Sequence, residues 1–181
     1  MLSPQKNKFI KVCPILKIRL SSGYKIKNYN KMEKRINIFG KGQNALKPLF
    51  EMAAYLKKST LGIELRHLIE FRVSQINQCA YCLDMHYKDA RANGETEQRL
   101  YGLSAWREAP YYTERERAAF AWAEAVTAAH VPDEVYQHVS DHFSEVELID
   151  LTMVVTTINT WNRINLSFPN VPGTYKVGMF G

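Results

Sequence analysis

The 181-residue chain has 9 Gly, 7 Pro and 3 Cys. So little Gly and Pro excludes a collagen-like or low-complexity polymer, and three cysteines are too few for a disulfide-stapled scaffold. No uninterrupted apolar run approaches the roughly 20 residues that a membrane helix needs, so a soluble protein without a membrane partner is expected. Acidic residues are missing altogether from positions 1–31, which hold seven Lys and Arg19 for a charge of +8. The remaining 150 residues carry 16 basic and 18 acidic side chains, a net −2. The overall +6 therefore describes the N-terminal stretch, and the body offers no basic surface for nucleic acid.

What is present suits one domain with a substantial core, since 46% of the residues are hydrophobic. Two segments are expected: a basic, poorly ordered extension (1–31) and a globular domain (32–181). An arm for an anionic surface or a targeting segment is the alternative for the first. Its most apolar part, Phe9 to Leu20, is cut by Lys11, Pro14, Lys17 and Arg19, which argues against a secretory signal and for a cytoplasmic protein. Cys13 lies there without a partner in the sequence.

From Met32 onward the pattern is helical. Leu46, Leu49, Ala53 and Leu56 follow helical spacing, with Pro48 acceptable in a first turn. Leu65, Leu68, Ile69, Val73 and Ile76 form the next stripe. A helix from about Cys79 to Asn93 stops at Gly94, and another runs from Glu95 to Trp106. Thr113/Glu116 and Ser144/Glu147 have the spacing of capping boxes, and Pro132 opens a short helix between them. The β-branched run Leu151 to Ile158 reads as a helix because of its cap and length. An all-α fold of about seven helices follows.

One cluster carries chemistry: Gln78-Cys79-Ala80-Tyr81-Cys82-Leu83-Asp84-Met85-His86. Cys79 and Cys82 are three apart, Cys82 and His86 four apart, so all three share one helix face. A thiol near pKa ~8.5 is mostly protonated at neutral pH, and an imidazole one turn away can take its proton. A helix N-terminus at Cys79 would favour the anion, and the second thiol could close a disulfide. Zinc ligation by Cys79, Cys82 and His86, or inert packing, are the competing readings, although no second Cys-x-x-Cys exists.

The stretch LRHLIEFRVSQINQCAYCLDMHYKDARANG, from Leu65 to Gly94, resembles the core motif of the AhpD-like alkylhydroperoxidases in the carboxymuconolactone decarboxylase superfamily. The resemblance extends over roughly Met32 to Ser167. It implies an AhpD-like helical bundle that forms homotrimers or homohexamers. It also implies an oxidoreductase that reduces hydroperoxides without a metal or organic cofactor and is regenerated by an external thiol reductant. In that family the second cysteine attacks the peroxide, so Cys82 would be the nucleophile, Cys79 the resolving thiol, and His86 part of the proton relay. Family members often carry Glu twelve residues before the first cysteine; here that position is His67, with Glu70 one turn along as a substitute. A decarboxylase-like lyase and a non-enzymatic redox-sensing or zinc-stabilised oligomer are the alternatives. Trp161 and Arg163 are expected in packing and subunit contact, with Arg163 pairing an acid. His138 and His142 are expected as exposed helix positions, and Tyr111 and Tyr112 as packing or a substrate rim.

Overall fold

A computed structural model describes residues 35–180; the 1–31 extension and Cys13 lie outside them. Eight α-helices and one 3-10 turn make up the described residues, with no strand. In chain order they are α1 Ile38–Lys41, α2 Gln43–Leu56, α3 Ile63–Ile76, α4 Ala80–Ala92 and α5 Glu97–Gly102. A 3-10 turn, Leu103–Ala105, precedes α6 Glu114–Thr127, α7 Asp133–Ser140 and α8 Glu145–Ser167. The eighth helix, beyond the expected seven, is the single turn α1. No helix among the described residues is long and apolar enough to cross a membrane.

The centre of the bundle is α3, which packs against α4, α6 and α8. It buries Leu65, Leu68, Ile69, Phe71 and Val73, leaving no wide polar face, as befits a helix enclosed by others. Ile76, expected in that stripe, is the last residue of α3 and is exposed, while Val73 and Ser74 in the same turn are buried. Both capping boxes form, Thr113 with Glu116 and Ser144 with Glu147, and each start satisfies otherwise orphaned N–H groups. The β-branched run is helical within α8, where Val154, Val155 and Ile158 face the core.

Pro48 departs from expectation. It lies six residues into α2, past the first turn. The missing N–H leaves the Asn44 carbonyl without its helical donor; both residues are exposed, so water can take that place. The other end of α2 is tied to α8 through buried Asp150, which accepts from Tyr55 Oη (2.8 Å) and Ser59 Oγ (2.5 Å).

Three helices end in the same way, with a left-handed residue and paired hydrogen bonds back into the last turn. At α4 the residue is Gly94 (φ 92°), with Gly94 N–H donating to Arg91 O and Glu95 N–H to Ala90 O. At α6 it is Ala129 (φ 54°), with bonds to Val126 O and, from His130, to Ala125 O. A side chain in this region costs about 1–2 kcal/mol. Ala129→Gly is therefore expected to raise unfolding stability by about 1 kcal/mol after the added unfolded-state entropy of glycine, read as a higher denaturant midpoint at constant slope.

Buried and half-buried carboxylates set the acid limit. Glu124 accepts from Trp106 Nε1 (2.9 Å), Arg72 Nη2 (2.6 Å) and Arg107 Nη2 (2.7 Å). Burial opposes its charge, but these hydrogen bonds and the Arg72 charge hold its pKa below the ordinary value. Glu147 is lowered too, first by the Ser144 backbone N–H. Groups with depressed folded pKa values stabilise above their unfolded pKa and lose that contribution as pH falls. Stability is expected to be level above about pH 5 and to decline below about pH 4.5, as measured by denaturant unfolding across pH.

Candidate functional site

The third of the left-handed helix ends builds the site. Gln78 (φ 55°) follows the last residues of α3, its N–H bonding Gln75 O while Cys79 N–H bonds Ser74 O. This turn reverses the chain and leaves Cys79 as the N-cap of α4, with extended backbone. Cys82 is then the third residue of α4, within the first turn, where the unpaired amides and the helix dipole favour an anion. Cys79 and Cys82 are bridged, with a Cα–Cα distance of 5.3 Å. Both are buried, at 1% and 0% exposure.

His86, one turn further along α4, is buried. Its Nδ1 lies 3.2 Å from Glu70 Oε2 on α3. This is a close contact without hydrogen-bond alignment, and neither ring nitrogen of His86 has an aligned partner among the described residues. The same Glu70 oxygen is 3.3 Å from Nδ1 of buried His67, whose Nε2 is 3.3 Å from Asn93 Nδ2. Arg66 Nε stands 3.7 Å from the other Glu70 oxygen. Burial alone would raise the Glu70 pKa. The opposing His86 charge, the contacts with His67 and His86, and the Arg66 charge outweigh it and hold the carboxyl well below the usual range. Glu70 is thus the carboxylate that meets His86, with His67 as a second imidazole on the same oxygen.

These groups form the polar end of a cavity of about 570 Å³, lined by Arg66, His67, Glu70 and His86 but by neither sulfur. Its apolar end is aromatic. Phe39 stacks on Trp161 and Phe180 at centroid distances of 6.4 and 5.6 Å, and Phe50 meets Trp161 at 5.3 Å. The C-terminal segment closes one side through Tyr175 and Phe180. It is fastened to α4: Gly173 N–H donates to Asp84 Oδ2 (2.9 Å), Lys88 Nζ to Tyr175 O (3.0 Å), and Tyr175 Oη to Asp89 Oδ1 (2.8 Å). The same helix therefore carries Cys82 and His86 and also the side chains that anchor the cavity wall.

The sequence grouped Cys79, Cys82 and His86 on one helix face, and the structure brings Glu70 to His86 and His67 to Glu70. Trp161, expected in packing and subunit contact, lines the cavity. Arg163 meets no acid among the described residues: its Nη1 donates to the backbone oxygen and Oδ1 of Asn159, one turn back on α8. Tyr112 is buried against Phe120, and neither Tyr111 nor Tyr112 lines the cavity, which makes them packing residues. His142 is half-buried and lies past the end of α7, its ring 5.2 Å from that of exposed His138. Arg66, Tyr175 and Phe180 were missed; alternation of charge and apolarity around α3 gave no signal that Arg66 turns inward, and the last residues carry no helical period.

Comparison with known proteins agrees with this architecture. Residues 43–125, from α2 through most of α6, match the carboxymuconolactone decarboxylase family. The chain is 41% identical over 142 residues to the uncharacterized protein YdfG of Bacillus subtilis, covering 77% of this chain and 97% of that one. Among solved structures it is similar to a protein of unknown function from Agrobacterium tumefaciens, provisionally assigned as the antioxidant defence protein AhpD. That match has a TM-score of 0.75 and 39% identity, and covers 79% of this chain and all of the other. An uncharacterized peroxidase-related protein from Silicibacter matches with a TM-score of 0.66 and 26% identity over 77% of this chain and 75% of its own. By sequence and by fold, the chain belongs to the AhpD-like branch of the carboxymuconolactone decarboxylase superfamily.

Proposed function

We propose that this protein is a thiol peroxidase that reduces organic hydroperoxides through the Cys79/Cys82 pair. The observation that carries the reading is the pair at the start of α4, bridged and one turn from an imidazole backed by an ionised carboxylate. In the reduced enzyme, His86 takes the Cys82 proton, helped by the anion-favouring helix start. The thiolate attacks the terminal peroxide oxygen, the O–O bond breaks, and the alkoxide leaves as ROH with the relayed proton; Cys82 becomes a sulfenic acid. The Cys79 thiol displaces water from it and forms the disulfide. An external dithiol then restores both thiols by exchange.

Replacing Cys79 by Ser tests the order of these steps. Cys82 is expected to be oxidised once and held as sulfenic acid, trapped by a carbon nucleophile as a stoichiometric adduct on the Cys82 peptide. An adduct on Cys79 in Cys82→Ser instead would reverse the roles. The proposal includes a cytoplasmic setting, where a reducing pool regenerates the pair, and a homotrimer or homohexamer, which light scattering of the purified protein measures. It further treats 32–181 as the functional domain, so deletion of 1–31 is expected to leave turnover intact.

A second reading has one observation in its favour. His67, Glu70 and His86 face the cavity while the sulfurs do not, an arrangement that suits acid–base chemistry of the lyase type on a lactone acid. It predicts activity that survives Cys82→Ser.

A further inference from the structure

We propose that His67, Glu70 and His86 form a binding site for a divalent ion of the zinc class, with one coordination position open to the cavity. This goes beyond the peroxidase reading and uses none of the sulfur chemistry.

The geometry is the first argument. One ligand atom from each of the three residues can be chosen so that all lie within 4.8 Å of one another. Glu70 Oε2 is 3.2 Å from His86 Nδ1 and 3.3 Å from His67 Nδ1. Tetrahedral zinc with bonds of about 2.0–2.1 Å to nitrogen and oxygen has ligand–ligand edges of about 3.3 Å. The two carboxylate–imidazole separations are already those of ligands sharing one ion.

The second argument is an unsatisfied group. His86 is 94% shielded from solvent, yet neither of its ring nitrogens has an aligned hydrogen-bond partner among the described residues. Buried polar atoms without partners are uncommon and costly, and each calls for a missing neighbour. An ion bound between Glu70 and the two imidazoles would satisfy Nδ1. Two imidazoles and a carboxylate are donors that zinc accepts. Arg66 approaches the other carboxylate oxygen, at 3.7 Å, and leaves Oε2 for the ion. An ion on Glu70 removes the carboxylate partner of His86, so metal binding and the thiol relay compete for the same side chains.

Titration of the full-length disulfide form with Co²⁺, followed by its visible absorption, tests the site while the sulfurs are bridged. One Co²⁺ per chain is expected, with the intense bands of a four-coordinate ion, displaced by Zn²⁺. His67→Ala and the isosteric Glu70→Gln should each weaken binding by at least ~10-fold, in protein whose helical content and thermal midpoint show that it is folded. The double substitution Cys79→Ser, Cys82→Ser should leave binding unchanged. No saturable binding by the disulfide form, binding indifferent to His67→Ala and Glu70→Gln, or binding lost with the cysteines would each overturn the proposal. Peroxide consumption by the metal-free protein is measured separately, so failure of the peroxidase reading is distinguishable from failure of the metal site.

Discussion

Cys82→Ser is expected to remove peroxide consumption almost entirely, by on the order of 10³-fold or more in kcat/KM for an organic hydroperoxide. A serine hydroxyl at that position is too weak a nucleophile toward an O–O bond, and nothing else in the site offers a polarizable anion. Cys79 cannot replace it in kind. As the N-cap it sits at the margin of α4, whereas Cys82 lies inside the first turn and one turn from His86. The measurement is single-turnover loss of hydroperoxide with enzyme in excess. Equal rates in wild type and Cys82→Ser would exclude Cys82 as nucleophile and favour the acid–base reading of the cavity.

The next largest effect is expected from Glu70. Glu70→Gln preserves volume but removes the anion beside His86 and His67, and should lower the rate of thiol oxidation by about 100-fold, the lower range for a disrupted proton relay. Glu70 acts through His86, so it is a positioning residue, and Glu70→Asp is expected to recover part of the loss. A residue with a structural role alone would change the thermal midpoint in step with the rate. Because burial is outweighed by the imidazole and Arg66 contacts, the folded carboxyl ionises well below the usual range. Wild-type rate should therefore show no protonation step from this group between pH 5 and 9, an interval set by its ordinary pKa of about 4.3. A rate that rises through a carboxylate pKa within that interval would contradict the assignment.

The helical plan was legible because its signals are local. Thr113 and Ser144 satisfy amides three residues away, and Gly94 takes a left-handed conformation that only a few residue types accept readily. Such signals survive in the sequence whatever the rest of the chain does. They also told the β-branched run of α8 from a strand. The thiol pair and His86 were legible for the same reason, being three and four residues apart on one helix. The third partner was less so. Glu70 and His86 are on different helices, and the pairing depends on how α3 and α4 lie together after the Gln78 turn. Gln78 itself gave no warning, since Gln rarely adopts positive φ. Exposure of Ile76, the second-turn place of Pro48 and the Asn159 partner of Arg163 likewise follow from tertiary surroundings. The cavity wall at Tyr175 and Phe180 was hidden because it depends on Asp84, Lys88 and Asp89, which look like ordinary surface charges of a helix.

The most direct test of the central claim is the intact mass and free-thiol count of the reduced full-length protein before and after one equivalent of organic hydroperoxide. The account predicts loss of two thiols and about 2 Da per chain, for two hydrogens removed as the disulfide forms, with Cys79 and Cys82 in one linked peptide. Unchanged mass and unchanged thiols would contradict it and leave the His67–Glu70–His86 face of the cavity as the site of whatever chemistry the protein performs.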